Sequence, residues 1–226
     1  MSRRSIKSIS SKFDLSGVFC TYSELPESFD MELLFGRVAP IELEIGSGKG
    51  RFLRRAADDF TEHNFIGIEV SSKYAKLAAS RLLNRSCKNA IVICCDAAKL
   101  LIEWIPDNIL HSVHVYFPDP WWKRAHRKRR ILRKDVLQLI EQRLIPNGIL
   151  YFRTDVEEYF QSTLDLISKN IKLLELFDVN ISDNLPNEET DYNTHFERRT
   201  IIKGEKVFRA KFRKNIQSNL EAPSVS

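Results

Sequence analysis

The sequence predicts an α/β protein with a doubly wound, mostly parallel β-sheet. Short apolar segments of strand character alternate with segments whose apolar residues recur at helical spacing, and such alternation favours parallel strands joined by crossover helices. Acidic residues follow several of these strands, at the edge where open α/β sheets bind ligands. Beyond residue 171 the alternation stops, and two extended stretches at 172–179 and 206–213 predict a C-terminal antiparallel edge hairpin.

The first predicted strand, Ile41–Ile45, leads into a glycine-rich turn, Gly46–Gly50, and then into a helix. Gly50 follows Lys49 where a Walker A loop needs Ser or Thr, which excludes ATP binding by that motif. The Gly-x-Gly-x-Gly spacing also departs from the dinucleotide fingerprint Gly-x-Gly-x-x-Gly, and this disfavours a nicotinamide enzyme without excluding it.

The rest of the predicted sheet follows in chain order. The further strands are Phe65–Glu69, Ala90–Cys95, His111–Phe117 and Ile149–Arg153. Helical spacing of apolar residues predicts a helix after Ser71, a second helix around Val136–Leu144 and a third that begins at Asp155. Parallel strands place their carboxyl ends at one edge, so the acidic residues that follow them are expected to lie along that edge.

The strand His111–Phe117 runs directly into Asp119, which stands between Pro118 and Pro120. The two prolines are expected to hold the backbone extended, although Asp-Pro often makes only a turn. Eight of the twelve residues from 123 to 134 are Lys or Arg, and without their charges the formal net charge of +5 becomes −3. Because this run is joined to a strand and a helix, it predicts a fixed patch that grips phosphates rather than a solvated face.

The length and composition limit the number of domains and exclude a membrane span. A chain of 226 residues with 43% hydrophobic residues predicts one domain, at 40–214, with an N-terminal extension at 1–39 and a C-terminal tail at 215–226. The apolar runs are far shorter than the roughly 20 residues of a membrane span, and no signal peptide is evident, so we expect a cytoplasmic protein with no membrane partner. The four cysteines lack metal-site spacing and are interpreted as reduced thiols, with no metal site.

Two motifs carry a resemblance to a known family. The spacing Glu44-x-Gly46-x-Gly48-x-Gly50 resembles motif I of class I S-adenosylmethionine-dependent methyltransferases. The segment from Pro118 to Arg130, read as Pro-Asp-Pro-Trp-x-Lys-x-x-His-x-Lys-Arg-Arg, resembles the tRNA (guanine-N7-)-methyltransferase family of the bacterial single-subunit type. Arg153-Thr154-Asp155 and Thr194-His195-Phe196-Glu197 are similar to further segments of that family, and the resemblance covers about residues 40 to 213.

The resemblance implies a class I methyltransferase sheet and a set of site residues. The implied S-adenosylmethionine site consists of Glu44, Gly46, Gly48, Glu69, Asp96 and Asp119, of which Asp119 is also catalytic. Within it, Glu69 is expected to accept hydrogen bonds from the ribose hydroxyls and Asp96 to lie near the adenine. The implied contacts to the guanine nucleotide are Lys123, Asp155, Thr194, His195, Phe196 and Glu197. The implied RNA contacts are Ala125, His126, Arg127, Lys128, Arg129 and Arg130. The implied reaction is methylation of N7 of a guanine in the tRNA variable loop, by a monomer or homodimer.

The chemistry agrees with an acidic site, because this cofactor carries a sulfonium and an ammonium group instead of a pyrophosphate. Guanine N7 has a free lone pair at neutral pH, so Asp119 is expected to orient the base and stabilise charge rather than to remove a proton. Two alternatives remain open. One is a methyltransferase of the same fold that acts on another RNA base or a small molecule, and the other is an RNA-binding module whose cofactor pocket is vestigial.

Overall fold

A computed structural model describes residues 14–85, 87–182 and 195–216, which form two compact units that divide between Leu100 and Leu101. Both units have α/β structure, as predicted. No helix within the described ranges is long and apolar enough to cross a membrane. The four cysteines, all of which are described, are free thiols.

The N-terminal unit contains four strands in the order β1-β4-β3-β2, and every neighbouring pair is parallel. Its strands are β1 (Phe19–Thr21), β2 (Ile41–Ile45), β3 (Asn64–Ile68) and β4 (Ala90–Cys94). Its helices are α1 (Met31–Phe35), α2 (Arg51–Asp59), α3 (Ser72–Leu83) and α4 (Ala97–Glu103), which spans the division. β3 is buried along its whole length, as expected for a parallel strand covered on both faces.

The glycine turn fixes how the helices of this unit pack. A Cβ added at Gly50 would lie 2.6 Å from the Cβ of Ala78, so the start of α2 approaches α3 as closely as a glycine allows. α2 then buries Phe52, Leu53 and Ala56 at helical spacing, as predicted.

Part of the predicted N-terminal extension belongs to the sheet. Residues Phe19–Thr21 of β1 pair in parallel with Val92–Cys94 of β4, which the sequence analysis did not predict. Arg37 fixes the chain just before β2, because its guanidinium donates to the Asn64 Oδ1 atom at 2.9 Å and to the His63 carbonyl at 2.8 Å. Residues 1–13 lie outside the described part of the chain, and the predicted domain boundaries stay a prediction.

The C-terminal unit contains four strands in the order β5-β6-β8-β7. They are β5 (Leu110–Tyr116), β6 (Leu144–Thr154), β7 (Leu174–Ser182) and β8 (Val207–Lys214). The helices are α5 (Lys134–Arg143), α6 (Glu157–Asn170) and α7 (His195–Ile202), with a short 3-10 helix at Arg124–Arg129. β5 and β6 are parallel, whereas β8 is antiparallel to both β6 and β7, so the predicted antiparallel edge hairpin is confirmed.

Two elements of this unit differ from the prediction. β6 begins at Leu144, not at Ile149. Leu144 pairs with Leu110 of β5, and regular pairing resumes only at Ile149. Residues 145–148 between them form an irregularity, in which Asn147 has a left-handed φ of 64°. The helix α7 was not predicted at all. The described residues that it buries are polar, Glu197 and Thr200, so its sequence lacks the apolar periodicity of an amphipathic helix.

Candidate active site

The glycine loop after β2 presents backbone where a ligand can approach closely. Gly46 and Gly48 have left-handed φ angles of 83° and 53°, which favour glycine at both positions. A Cβ added at Gly46 would meet no atom within 4 Å, and one added at Gly48 would meet only the Gly46 carbonyl oxygen, at 3.9 Å. The amides of Gly46 and Ser47 donate to the Ile68 carbonyl at 2.8 and 2.9 Å, and these bonds hold the loop against the end of β3.

Glu69, directly after β3, fastens this loop from the other side. Its carboxylate accepts from the Gly48 amide at 2.9 Å and from the Ser71 amide at 2.8 Å. A carboxylate has about four acceptor sites, and Glu69 is only half-buried, so it retains capacity for further hydrogen bonds. The predicted contact with ribose hydroxyls therefore fits the arrangement and stays a prediction.

Glu44 is the buried carboxylate of the N-terminal unit's candidate site. It is 5% exposed, and its Oε2 atom has no hydrogen-bond partner within the described residues. Burial, with a smaller contribution from the negative charge of Glu69, raises the pKa of Glu44 to about 8. The Ser47 hydroxyl is near enough to lower the pKa but makes no hydrogen bond of normal geometry. A buried carboxylate with an unpartnered oxygen fits a cationic ligand, as the sulfonium and ammonium of S-adenosylmethionine require.

Asp96, directly after β4, has a structural role in the described chain. Its side chain is exposed, and its Oδ1 atom accepts from the Lys99 amide at 3.0 Å at the start of α4. This is the bond of a helix N-cap. The predicted contact of Asp96 with the adenine stays a prediction.

Asp119 lies in a backbone segment of unusual conformation that follows β5. Phe117 and Trp121, on either side of the Pro118-Asp119-Pro120 sequence, have left-handed φ angles of 50° and 45°, which aromatic residues rarely adopt. The prolines were predicted to keep the segment extended, whereas its two flanks are left-handed. Each such residue costs on the order of 1–3 kcal/mol and persists only where the surroundings fix it, most often at functional sites.

The structure places three predicted site residues at one edge of the C-terminal unit. Asp119 follows β5 and Asp155 follows the neighbouring parallel strand β6, and both side chains are exposed, as is that of Lys123. The Phe117 amide donates to the Arg153 carbonyl at 2.8 Å and so extends the pairing of the two strands to this edge. The carboxylates of Asp119 and Asp155 are therefore available to a ligand at the same end of β5 and β6.

The basic segment forms the 3-10 helix Arg124–Arg129, and most of its side chains are exposed. Among the predicted RNA contacts, Ala125, Arg127, Lys128 and Arg129 are exposed and His126 is half-buried. The His126 ring packs edge-on against Trp121 with centroids 5.9 Å apart, and the Arg129 guanidinium lies 5.1 Å from the Trp121 ring centroid. Trp122 is 69% exposed. The segment thus presents fixed cations and one free aromatic face, which suits a nucleic-acid surface.

Arg130 differs from the prediction of an RNA contact. It is 7% exposed, and protein groups occupy its guanidinium: Nε donates to the Pro120 carbonyl at 2.8 Å and Nη2 to Glu158 at 2.6 Å. Its guanidinium carbon also lies 4.4 Å from the centroid of the Tyr159 ring. Because the guanidinium is buried and paired inside the unit, it is not available to a phosphate.

Glu197 also differs from its predicted role in contacting the nucleotide. It is completely buried, and its two oxygens accept from Arg153 Nη1 at 3.0 Å and from Arg209 Nε at 2.9 Å. Glu197 thereby joins α7 to β6 and β8. His195 and Phe196 are the first residues of α7, and Thr194 lies outside the described residues.

The groups that hold these site residues in place were not predicted from the sequence. Arg209 is a buried arginine of strand β8, and Glu158 and Ser162 of α6 bind Arg130. Arg209 alternates with Lys211 and Arg213 along β8, a pattern that is typical of a polar strand face, so no signal in the sequence marks Arg209 as buried. Glu158 carries no signal either, since it reads as an ordinary acidic residue in the first turn of a helix.

Comparison with known proteins supports a methyltransferase. A family model described as putative methyltransferase matches residues 38–210. A protein of Rhodopirellula baltica named tRNA (guanine-N(7)-)-methyltransferase is 39% identical over 219 residues, which cover 95% of this chain and 80% of that protein. The match therefore extends over both units and four fifths of the relative.

Solved structures agree with the predicted class I fold. The antibiotic-resistance methyltransferase Kmr superposes with a TM-score of 0.57 at 16% identity, over 84% of this chain and 93% of that chain. Phosphoethanolamine N-methyltransferase 2 of Haemonchus contortus, solved with S-adenosyl-L-methionine, gives a TM-score of 0.51 at 14% identity, over 80% of this chain and 50% of that chain. At these identities the likeness concerns the fold, whereas the sequence match identifies the family. The chain belongs to the tRNA (guanine-N(7)-)-methyltransferase family.

Proposed function

We propose that the protein transfers a methyl group from S-adenosylmethionine to N7 of a guanine in the variable loop of tRNA, forming 7-methylguanosine. The observation that carries this proposal is the exposed Asp119 at the end of β5, followed directly by an exposed basic helix, in a chain whose relatives are named for this reaction. We further propose that it acts in the cytoplasm, as a monomer or homodimer. A metal ion is not needed in this proposal, because the N7 lone pair is nucleophilic without activation.

The N-terminal unit supplies the residues that would hold the cofactor. When bound, S-adenosylmethionine supplies a methyl group on a positively charged sulfur. Glu44 offers a buried negative charge, Glu69 offers acceptors at the glycine loop, and Gly46 and Gly48 allow the backbone to approach. Asp96 would stand at the adenine end, by the family resemblance.

The first prediction concerns pH and cofactor affinity. Because the pKa of Glu44 is about 8 in the free protein, this carboxyl is mostly protonated at pH 7, and a bound cation should drive its ionisation. Binding should therefore release a proton at pH 7, and affinity should rise with pH, by at most about tenfold per unit, until a plateau above pH 8. Calorimetry at pH 7 in two buffers of different ionisation enthalpy measures the release.

The matched control for this prediction is Glu44→Gln, which cannot titrate. It should bind the cofactor more weakly and release no proton. Proton release that is equal in the variant and the wild type would remove Glu44 from the proposed cofactor site.

The C-terminal unit supplies the groups that would handle the guanine. N7 needs no general base, so the task of Asp119 is to orient the base and to stabilise the positive charge that develops on the purine. Lys123 and Asp155 are exposed near the ends of β5 and β6, where they can bind the nucleotide. His195 and Phe196, at the start of α7, and Thr194 complete the proposed nucleotide contacts by family resemblance.

The second prediction tests the basic segment. Arg129→Glu should weaken tRNA binding and lower the slope of log Kd against log salt concentration by about one or more. A phosphate that has lost its contact with the protein keeps its counterion in the complex, so fewer counterions are released on binding. Cofactor affinity should stay unchanged. Filter binding at several salt concentrations measures the Kd for tRNA and its salt slope. The control is Lys172→Glu, which makes the same charge change at an exposed lysine outside the basic segment. Equal slopes for the two variants would mean that the segment is only a solvated face.

The proposed function is tested directly by methyl transfer to unmodified tRNA, with the product located by chemical cleavage at 7-methylguanosine. Methylation of a guanine N7 in the variable loop supports the proposal. A different methylated position would favour a related methyltransferase, and cofactor binding without transfer to any RNA would favour a small-molecule substrate. No cofactor binding in calorimetry would leave an RNA-binding module.

A further inference from the structure

Arg130 makes its hydrogen bonds with two separate parts of the C-terminal unit. Its Nε atom donates to the Pro120 carbonyl at 2.8 Å, and its Nη atoms donate to Glu158 at 2.6 Å and to the Ser162 hydroxyl at 3.2 Å. The Tyr159 ring covers the guanidinium, with its centroid 4.4 Å from the guanidinium carbon. One side chain thus ties the segment that carries Asp119 to the first turns of α6.

The segment that Arg130 ties down needs such a restraint. Phe117 and Trp121 hold left-handed φ angles on either side of Asp119, and a backbone of this kind relaxes unless its surroundings fix it. Asp119 is itself exposed, and the atom bound by Arg130 is the carbonyl of the next residue, Pro120. Loss of this bond would free the peptide beside the carboxylate without touching the carboxylate.

We propose that Arg130 is a positioning residue for methyl transfer, which holds Asp119 in place through the Pro120 carbonyl and does not contact tRNA. The inference rests on the proposed function in that Asp119 must act in the reaction. Arginine suits the task because its planar fork binds acceptors in two directions, whereas a lysine ammonium is a point charge that cannot reach both. Arg130 also lowers the pKa of Glu158, so the ion pair persists at neutral pH.

The variant Arg130→Lys tests this role, because it keeps the charge and removes the fork. Glu158 is less suitable, since it also pairs with the surface residue Arg127 at 3.3 Å. In single turnover with saturating cofactor and tRNA, we expect Arg130→Lys to lower the methyl-transfer rate about tenfold through misplacement of Asp119. The Kd for tRNA and its salt slope should stay at the wild-type values. Arg213→Lys, at an exposed arginine of β8 outside the basic run, is the matched control and should behave as wild type.

A double-mutant cycle shows whether the effect passes through Asp119. In the Asp119→Asn background, Arg130→Lys should lower the rate no further, because the group that it positions is already gone. An equal tenfold loss in that background would overturn the proposal. A lower salt slope for Arg130→Lys would also overturn it, because that result identifies a direct phosphate contact.

Amide hydrogen exchange tests the restraint without substrate or cofactor. In Arg130→Lys the amides of Phe117 and His126, which donate to the Arg153 and Lys123 carbonyls on either side of Asp119, should exchange about tenfold faster, while amides within α6 keep their rates. Ser162→Ala, which removes only one of the acceptors of Arg130, should show a smaller increase in the exchange rates of the same amides. This second variant keeps the proposal testable if Arg130→Lys fails to fold. Unchanged exchange in both variants would overturn the proposal. A wild-type protein that methylates no tRNA would instead refute the proposed function, and the exchange rates would still decide whether Arg130 restrains the segment.

Discussion

Asp119→Asn should lower the rate of methyl transfer by roughly 10², the usual cost of removing one preorganised electrostatic partner, about 3 kcal/mol. Asparagine keeps the shape of the side chain and one acceptor but not the negative charge that would stabilise the alkylated purine. Asp119 is exposed and lies outside the hydrophobic core, so the variant should fold normally. Single-turnover methyl transfer to unmodified tRNA, with the melting temperature as a check on folding, measures the effect.

The pH profile separates electrostatic stabilisation from general-base catalysis. At saturating cofactor the ionisation of Glu44 no longer limits binding. The wild-type single-turnover rate should then not rise with pH near neutrality, as it would if a general base with a pKa in that range had to be deprotonated. Asp165→Asn, at an exposed aspartate of α6, is the control and should leave the rate unchanged. Wild-type turnover by Asp119→Asn would remove this residue from the chemistry even if the product is 7-methylguanosine.

The sequence predicted the parts of the fold that are built from apolar periodicity. The strands β2 to β6 and the helices α2, α3, α5 and α6 have their apolar residues at strand or helix spacing, so their sequences carry the signal, and the glycine loop was predicted from its three glycines. The edge strand β1 has only three residues and none that is fully buried, which is too short for any period to show. α7 lacks the signal for another reason, because the described residues that it buries, Glu197 and Thr200, are polar.

Side-chain roles in the site were harder to predict than backbone elements. Within the run of basic residues, composition cannot distinguish Arg129, which lies exposed over Trp121, from Arg130, which points into the unit. The difference comes from the turn of the 3-10 helix and from its acceptors on α6, both of which are tertiary. The left-handed φ of Phe117 could not be predicted from the sequence either, because aromatic residues rarely adopt that conformation.

Glu197→Gln should lower the free energy of unfolding by about 3–5 kcal/mol, the usual cost of removing one partner from a buried ion pair. Glutamine is close in size to glutamate, but it removes the buried negative charge that pairs with the guanidinium groups of Arg153 and Arg209. Urea denaturation measures the change. Asp178→Asn is the control in the same unit, because the Asp178–Lys211 pair is only half-buried at the surface and its loss should cost about 1 kcal/mol or less.

The same variant distinguishes a structural role for Glu197 from the direct nucleotide contact that the family resemblance implies. If Glu197 joins α7 to β6 and β8, the variant should lose stability at every tRNA concentration, and tRNA affinity should recover at low temperature, where the unit stays folded. If Glu197 binds the guanine, the variant should keep its unfolding free energy and lose tRNA affinity at all temperatures. The complete burial of the carboxylate and its bonds to two arginines favour the first result. Through this ion pair α7 is held to β6 and β8, so the helix that begins at His195 has a fixed position in the unit.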